Sequence, residues 1–193
     1  MNKLVCIAGM PGAGKSVVSD YFVKKGFQFV RFGQITLDEV IRRGLKPTEQ
    51  NERKIREEVR KKHGMAAYAI LNLPKFKKLL KNGNVIADGL YSWSEYKFLK
   101  EKFGKNFTVI SVYAPPALRY KRISLRKSTK NDKDLRNRPF TKNEAESRDY
   151  AEIENLEKGG PIAMADYTIV NTKSLKCLKK TTKEIYSEIL KKK

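Results

Sequence analysis

Eight residues near the amino terminus could do chemistry together. Gly9-Met-Pro-Gly-Ala-Gly-Lys-Ser16 satisfies G-x-x-x-x-G-K-[ST], with an apolar run before it and a helical stretch after it. Gly12 and Gly14 open backbone angles closed to other residues, so the loop can turn its N–H groups inward around phosphate oxygens. The amino end of the next helix adds positive potential there. Lys15 supplies a point charge for β- and γ-phosphates, and the Ser16 hydroxyl can ligate Mg²⁺. The expected phosphate-binding set is Gly9, Met10, Pro11, Gly12, Ala13, Gly14, Lys15, Ser16 and Val17. ATP and Mg²⁺ are the expected cofactors, although the motif itself reads phosphates and not the base.

Asn84-Val-Ile-Ala-Asp88 is an apolar run that ends in an acid. After a phosphate loop, this is where an aspartate supports Mg²⁺, so Asp88 joins Ser16 as a metal candidate. Arg122 and Arg126 are spaced i,i+4 and would share a helical face; Arg148 follows in Ser147-Arg-Asp-Tyr150. Phosphoryl transfer spreads negative charge over equatorial oxygens that cations stabilise. Lys15, Arg122, Arg126 and Arg148 are therefore the catalytic candidates. Arg119 fits that role and a solvated basic helix equally well. Arg42 and Arg43 could meet an acceptor phosphate or stay in water. Tyr91, Trp93 and Tyr96 could stack on a base, but packing is the favoured reading.

The elements that must hold these groups alternate between strand and helix, the pattern of a parallel sheet covered by helices. Strands are predicted at 3–8, 27–32, 84–88, 107–113 and 166–170. Helices are predicted at 15–25, over most of 37–80, from Ser92 (a capping box with Glu95), at 117–127, from Thr141 (a second capping box with Glu144) to about 157, and at 174–190. Gly159-Gly160-Pro161 is expected to end the helix before it. The charged stretch after Pro47, with Ile55 and Val59 as a narrow apolar stripe, reads as a solvent-exposed arm. The polar segment 128–139 is expected to be mobile.

At 193 residues, one α/β domain with a sizeable core is expected. No stretch approaches the ~20 apolar residues of a membrane span, and the short apolar run before Gly9 is no signal peptide, so a cytoplasmic location is expected. Cys6, Cys177 and the single His63 lack zinc-ligand spacing. The net charge of +21 could serve nucleic-acid binding. It is spread along the chain with no aromatic-interleaved basic block, which favours a solvating surface.

The chain resembles the adenylate-kinase-like branch of P-loop kinases, and within it an archaeal family described as related to dephospho-CoA kinase. The likeness rests on the phosphate loop, Arg43-Gly-Leu-Lys-Pro-Thr48, His63-Gly64, Asp88-Gly89, Ala114-Pro-Pro with Arg119-Tyr-Lys-Arg122, Arg148-Asp149, and Ile162-Ala-Met-Ala-Asp-Tyr167 before Asn171. It implies a three-layer α/β fold with a five-stranded parallel sheet in the order 2-3-1-4-5. It also implies a helical acceptor-binding arm at 33–80 and an arginine lid within 117–150. The nucleotide base would lie near Asn171-Thr172, which adds Asn171 to the cofactor-binding set.

One departure matters. After the second strand the family pattern expects an acid and then an arginine, and this chain has Gln34 and Leu37. A hydroxyl acceptor benefits from a carboxylate base, which glutamine cannot be. A phosphate acceptor needs none. The function expected is ATP-dependent phosphorylation of a nucleotide-like acceptor, either a nucleoside monophosphate or of dephospho-CoA type. The alternative is a nucleotide-dependent switch or RNA-associated ATPase.

Overall fold

Strand β1 (Leu4–Ala8) is buried along its whole length. Side chains alternate across a strand, so Leu4, Cys6 and Ala8 enter one apolar cluster while Val5 and Ile7 enter the other. A strand apolar on both faces belongs in the middle of a parallel sheet with helices on either side. The computed structural model describes residues 2–126 and 141–191. The remaining strands are β2 (Gln28–Arg31), β3 (Val85–Asp88), β4 (Phe107–Tyr113) and β5 (Tyr167–Val170). All pairings are parallel and the order is β2-β3-β1-β4-β5, as the resemblance implied.

Helices α1 (Lys15–Lys24), α2 (Gln34–Arg42), α3 (Glu49–His63), α4 (Ala67–Leu80) and α5 (Trp93–Phe103) alternate with the first strands. After β4 come α6 (Pro116–Ser124), α7 (Lys142–Glu154) and the short α8 (Gly159–Ala163); α9 (Leu175–Lys191) follows β5. Helix α9 buries Leu178, Thr182, Ile185 and Ile189 at helical spacing, and with α1 it covers the face holding Val5 and Ile7. Phe22, Phe27 and Tyr186 meet edge to face in that layer, with centroids 5.1–6.0 Å apart. Helices α4 and α5 cover the other face through Tyr68, Phe76, Tyr96 and Leu99. Both capping boxes form, at Ser92–Glu95 and Thr141–Glu144.

Three sequence expectations are corrected. Gly159-Gly160-Pro161 does not merely end a helix. α7 stops at Glu154 and these residues open α8. The basic helix ends at Ser124, so Arg126 lies beyond it and shares no helical face with Arg122. The charged helix α3 is not a solvated arm: Ile55 is fully buried, Val59 packs on the core, and Glu52 is buried. A narrow stripe of two aliphatics was enough to dock it against α2 and α4. The segment 128–139 lies outside the described residues.

Candidate functional site

The site forms at the carboxyl edge of the sheet. Parallel pairing sets Ile7 beside Asp88, so the phosphate loop after β1 and the end of β3 open at the same level. The loop has left-handed backbone at Gly9, Gly12 and Gly14, with φ of 139°, 78° and 106°. Each is also sterically closed. A Cβ on Gly9 would meet the Val112 carbonyl oxygen at 2.3 Å, and one on Gly14 the Asn171 amide nitrogen at 2.4 Å. Ala13 is buried, and Val17 packs in the α1–α9 layer.

Lys15 Nζ donates to the carbonyls of Gly9 at 2.9 Å and Met10 at 3.2 Å, so its charge is curled over its own loop. Burial lowers the Lys15 pKa to about 8, helped by the nearby Lys158 charge and opposed by Asp88 and Glu152. Ser16 and Asp88 line the same cavity. Asp88 Oδ1 is buried without a hydrogen-bond partner. A buried carboxylate oxygen left unsatisfied is costly, and a cation beside Ser16 would meet the need. These two residues therefore fit a Mg²⁺ ion. Among the described residues there is no cluster of three or more histidine, cysteine or acidic side chains that could hold a metal.

The arginines divide into three groups. Arg126 and Arg148 line the phosphate-loop cavity. Arg148 donates from Nε to Glu152 at 3.0 Å and lies 3.6 Å from Glu49. Burial works against its charge, but Glu152 and Glu49 outweigh it and raise its pKa. Arg122 turns elsewhere: its Nη2 donates to the Asn171 carbonyl at 3.0 Å, at the loop after β5. Arg119 is structural. It is buried, forks onto Asp149, and donates to the carbonyls of Ala114 at 2.9 Å and Pro11 at 3.1 Å. Asn171 is also a brace, since its side chain donates to the Ala13 carbonyl at 2.7 Å.

Arg42 and Arg43 pair with Glu39, and Arg43 also with Glu58, away from this cavity. Gln34 donates to Asp38 at 2.9 Å. Trp93 and Tyr96 stack on each other at 5.0 Å, as the packing reading expected. Tyr91 packs against the same core cluster and also lines the cavity, where the Lys158 ammonium sits 4.7 Å from its ring centre.

Sequence reasoning missed Arg31, Arg56, Arg60, Glu152 and Lys158, all of which line the cavity. For α3 a signal existed: Glu52, Arg56 and Arg60 repeat at i,i+4 and share one face. Lys158 had none, because a lysine after Glu157 looks like surface. It is fully buried against Glu152. Burial raises the Glu152 carboxyl in principle, but Lys158 and then Arg148 hold it at about 2.

Sheet order, loop and cavity together define a protein of P-loop kinase fold. Shikimate kinase from Bacteroides thetaiotaomicron is similar in structure, with a TM-score of 0.58 at 12% identity, covering 97% of this chain and 98% of that one. A gluconokinase from Sinorhizobium meliloti gives a TM-score of 0.52 at 12% identity over 96% and 97%. Residues 5–152 match a family described as AAA domain. A UPF0200 protein of Thermococcus kodakarensis is 34% identical over 191 residues, 98% of this chain and 99% of the relative. Its counterpart in Pyrococcus furiosus is 33% identical over 188 residues, 96% and 97%. The chain belongs to the UPF0200 family of archaeal proteins, and its own residues 5–152 carry an AAA domain. No helix among the described residues is long and apolar enough to cross a membrane.

Proposed function

We propose that this protein is an ATP-dependent small-molecule kinase acting on a nucleotide-like acceptor, a nucleoside monophosphate or a compound of dephospho-CoA type. The observation that carries the reading is the orphaned Oδ1 of Asp88, a residue that lines one cavity with Ser16, Lys15, Arg126 and Arg148. The loop from Gly9 to Val17 would wrap the phosphates. Ser16 and Asp88 would hold Mg²⁺, which neutralises charge between the β- and γ-phosphates. Lys15, Arg126 and Arg148 would stabilise the equatorial oxygens. Arg122 and Asn171 would shape the base side. The arm at 33–80 would receive the acceptor, and α6 and α7, the described parts of the lid region at 117–150, would flank the nucleotide.

An acceptor oxygen attacks the γ-phosphorus, the bond to the β–γ bridging oxygen breaks, and ADP leaves. Positioning and electrostatics supply most of the acceleration in such reactions. The carboxylates Glu49 and Glu152 on the acceptor side are tied to Arg56, Arg148 and Lys158. With Gln34 also unable to act as a base, an acceptor whose oxygen is already anionic suits the site.

The test is incubation with ATP, Mg²⁺ and single acceptors (AMP, CMP, UMP, dephospho-CoA), followed by phosphorus NMR. A new phosphorylated product supports the kinase. ADP and free phosphate with every acceptor inert would point to the ATPase switch, and RNA stimulation would then be measured.

A further inference from the structure

Arg60 differs from the arginines around it. Arg53 pairs with Glu57 at 3.0 Å, Arg56 with Glu49, and Arg148 with Glu152. Arg60 forms no ion pair among the described residues, and its Nε is buried without a hydrogen-bond partner. Its guanidinium lies 4.9 Å from the centre of the Tyr68 ring. That ring is fixed in turn, because its hydroxyl shares a 2.6 Å hydrogen bond with Thr36. A charged group held on a rigid platform with an unmet donor is costly unless an anion completes it.

Its place in the fold says which anion. Arg60 lines the phosphate-loop cavity and also a second cavity of about 730 Å³ between α3 and α7. Arg56, Tyr91, Arg148 and Glu152 line both as well, so Arg60 stands where the two spaces border each other. The second cavity has the size of a small-molecule site. Met65 and Leu156 give it apolar surface, and Asn143 and Asn155 give it hydrogen-bonding groups.

We infer that Arg60 binds the phosphate of a phosphomonoester acceptor whose organic body occupies the cavity between α3 and α7. This rests on the kinase reading and specifies its acceptor subsite. A hydroxy acid could also set a carboxylate on Arg60, but its hydroxyl would still need a base. A phosphomonoester brings its own anionic oxygen to the junction with the phosphate loop.

The experiment is calorimetric titration of AMP, CMP and UMP, and separately shikimate and gluconate, into protein loaded with Mg²⁺ and a non-hydrolysable ATP analogue. One monophosphate should bind at one site per chain. Arg60→Ala should weaken it about tenfold or more, the loss of a charge-assisted contact. Arg60→Lys should recover part of that loss, and affinity for the ATP analogue should stay within about twofold. Thermal melts of Arg60→Ala, Arg60→Lys and Arg60→Gln identify any variant that fails to fold, and the folded ones carry the comparison. Binding of a hydroxy acid with every monophosphate inert overturns the inference, as does undiminished monophosphate affinity in the folded Arg60 variants. Absent binding of the ATP analogue overturns the kinase reading by itself, and titration of the monophosphates into unloaded protein then decides the Arg60 subsite separately.

Discussion

The side-chain amide of Asn171 donates to the carbonyl of Ala13 at 2.7 Å, across 158 positions of sequence. The loop after β5 therefore braces the phosphate loop. Losing a buried hydrogen bond of this kind costs about 1–3 kcal/mol. Asn171→Ala should lower the melting temperature by a few degrees and weaken ATP-analogue binding by about tenfold. Unchanged nucleotide affinity would remove Asn171 from the site.

The same contact makes Gly14 irreplaceable. Its φ of 106° is hostile to any side chain, and the Asn171 amide fills the space a Cβ would need. Gly14→Ala is expected to abolish measurable ATP-analogue binding. The double variant with Asn171→Ala should stay impaired, since the backbone strain remains. Calorimetry on the two proteins tests both statements.

Arg119 and Asp149 form a buried pair under the phosphate loop, with one arm at 2.9 Å. Removing one partner strands the other charge, at about 3–5 kcal/mol. Asp149→Ala should lower the melting temperature by roughly 6–20 °C, given typical sensitivities for a chain of this size. A surface change such as Lys102→Ala should move it hardly at all, because both it and its partner Glu101 are exposed. Similar melting points for the two variants would contradict the structural role given to Arg119.

Asp88→Asn tests the metal. The amide keeps the shape but loses the charge that would draw Mg²⁺ to Ser16. Turnover should fall by about a hundredfold or more while nucleotide binding without metal persists. Chelation of divalent cations should mimic the variant in the parent protein and add nothing to it.

Glu95 should set the pH dependence of stability between about 4.5 and 7. It accepts from the Tyr91 and Ser92 amides, yet burial lifts its pKa from 4.5 to about 7, with Arg60 and those amides opposing. Between these values the unfolded chain is ionised there and the folded chain still holds the proton. Stability should therefore decline as pH rises from about 4.5 to 7 and level off above. Glu95→Gln should flatten that window. A melting curve that keeps its slope in the variant would assign the dependence to another group.

The amino-acid sequence alone determined the features that depend on local chemistry. Glycine spacing with Lys15 and Ser16 specifies the phosphate loop whatever surrounds it. Alternating apolar runs specify strands, and Ser92–Glu95 and Thr141–Glu144 specify helix starts, because each rests on neighbours within four positions. The resemblance carried the strand order. Tertiary structure decided the wall of the cavity. Arg122 and Arg126 look alike in sequence, yet the end of α6 at Ser124 sends one to Asn171 and the other to the phosphate loop. Arg119 and Lys158 look like surface cations and are buried, because Asp149 and Glu152 offset their charge at contacts that only folding creates. Arg60 needed the platform of Tyr68 from the next helix to stand on the cavity wall with no ion pair among the described residues. Local spacing constrains backbone shape, whereas partner choice for a long charged side chain depends on distances between elements that no local pattern records.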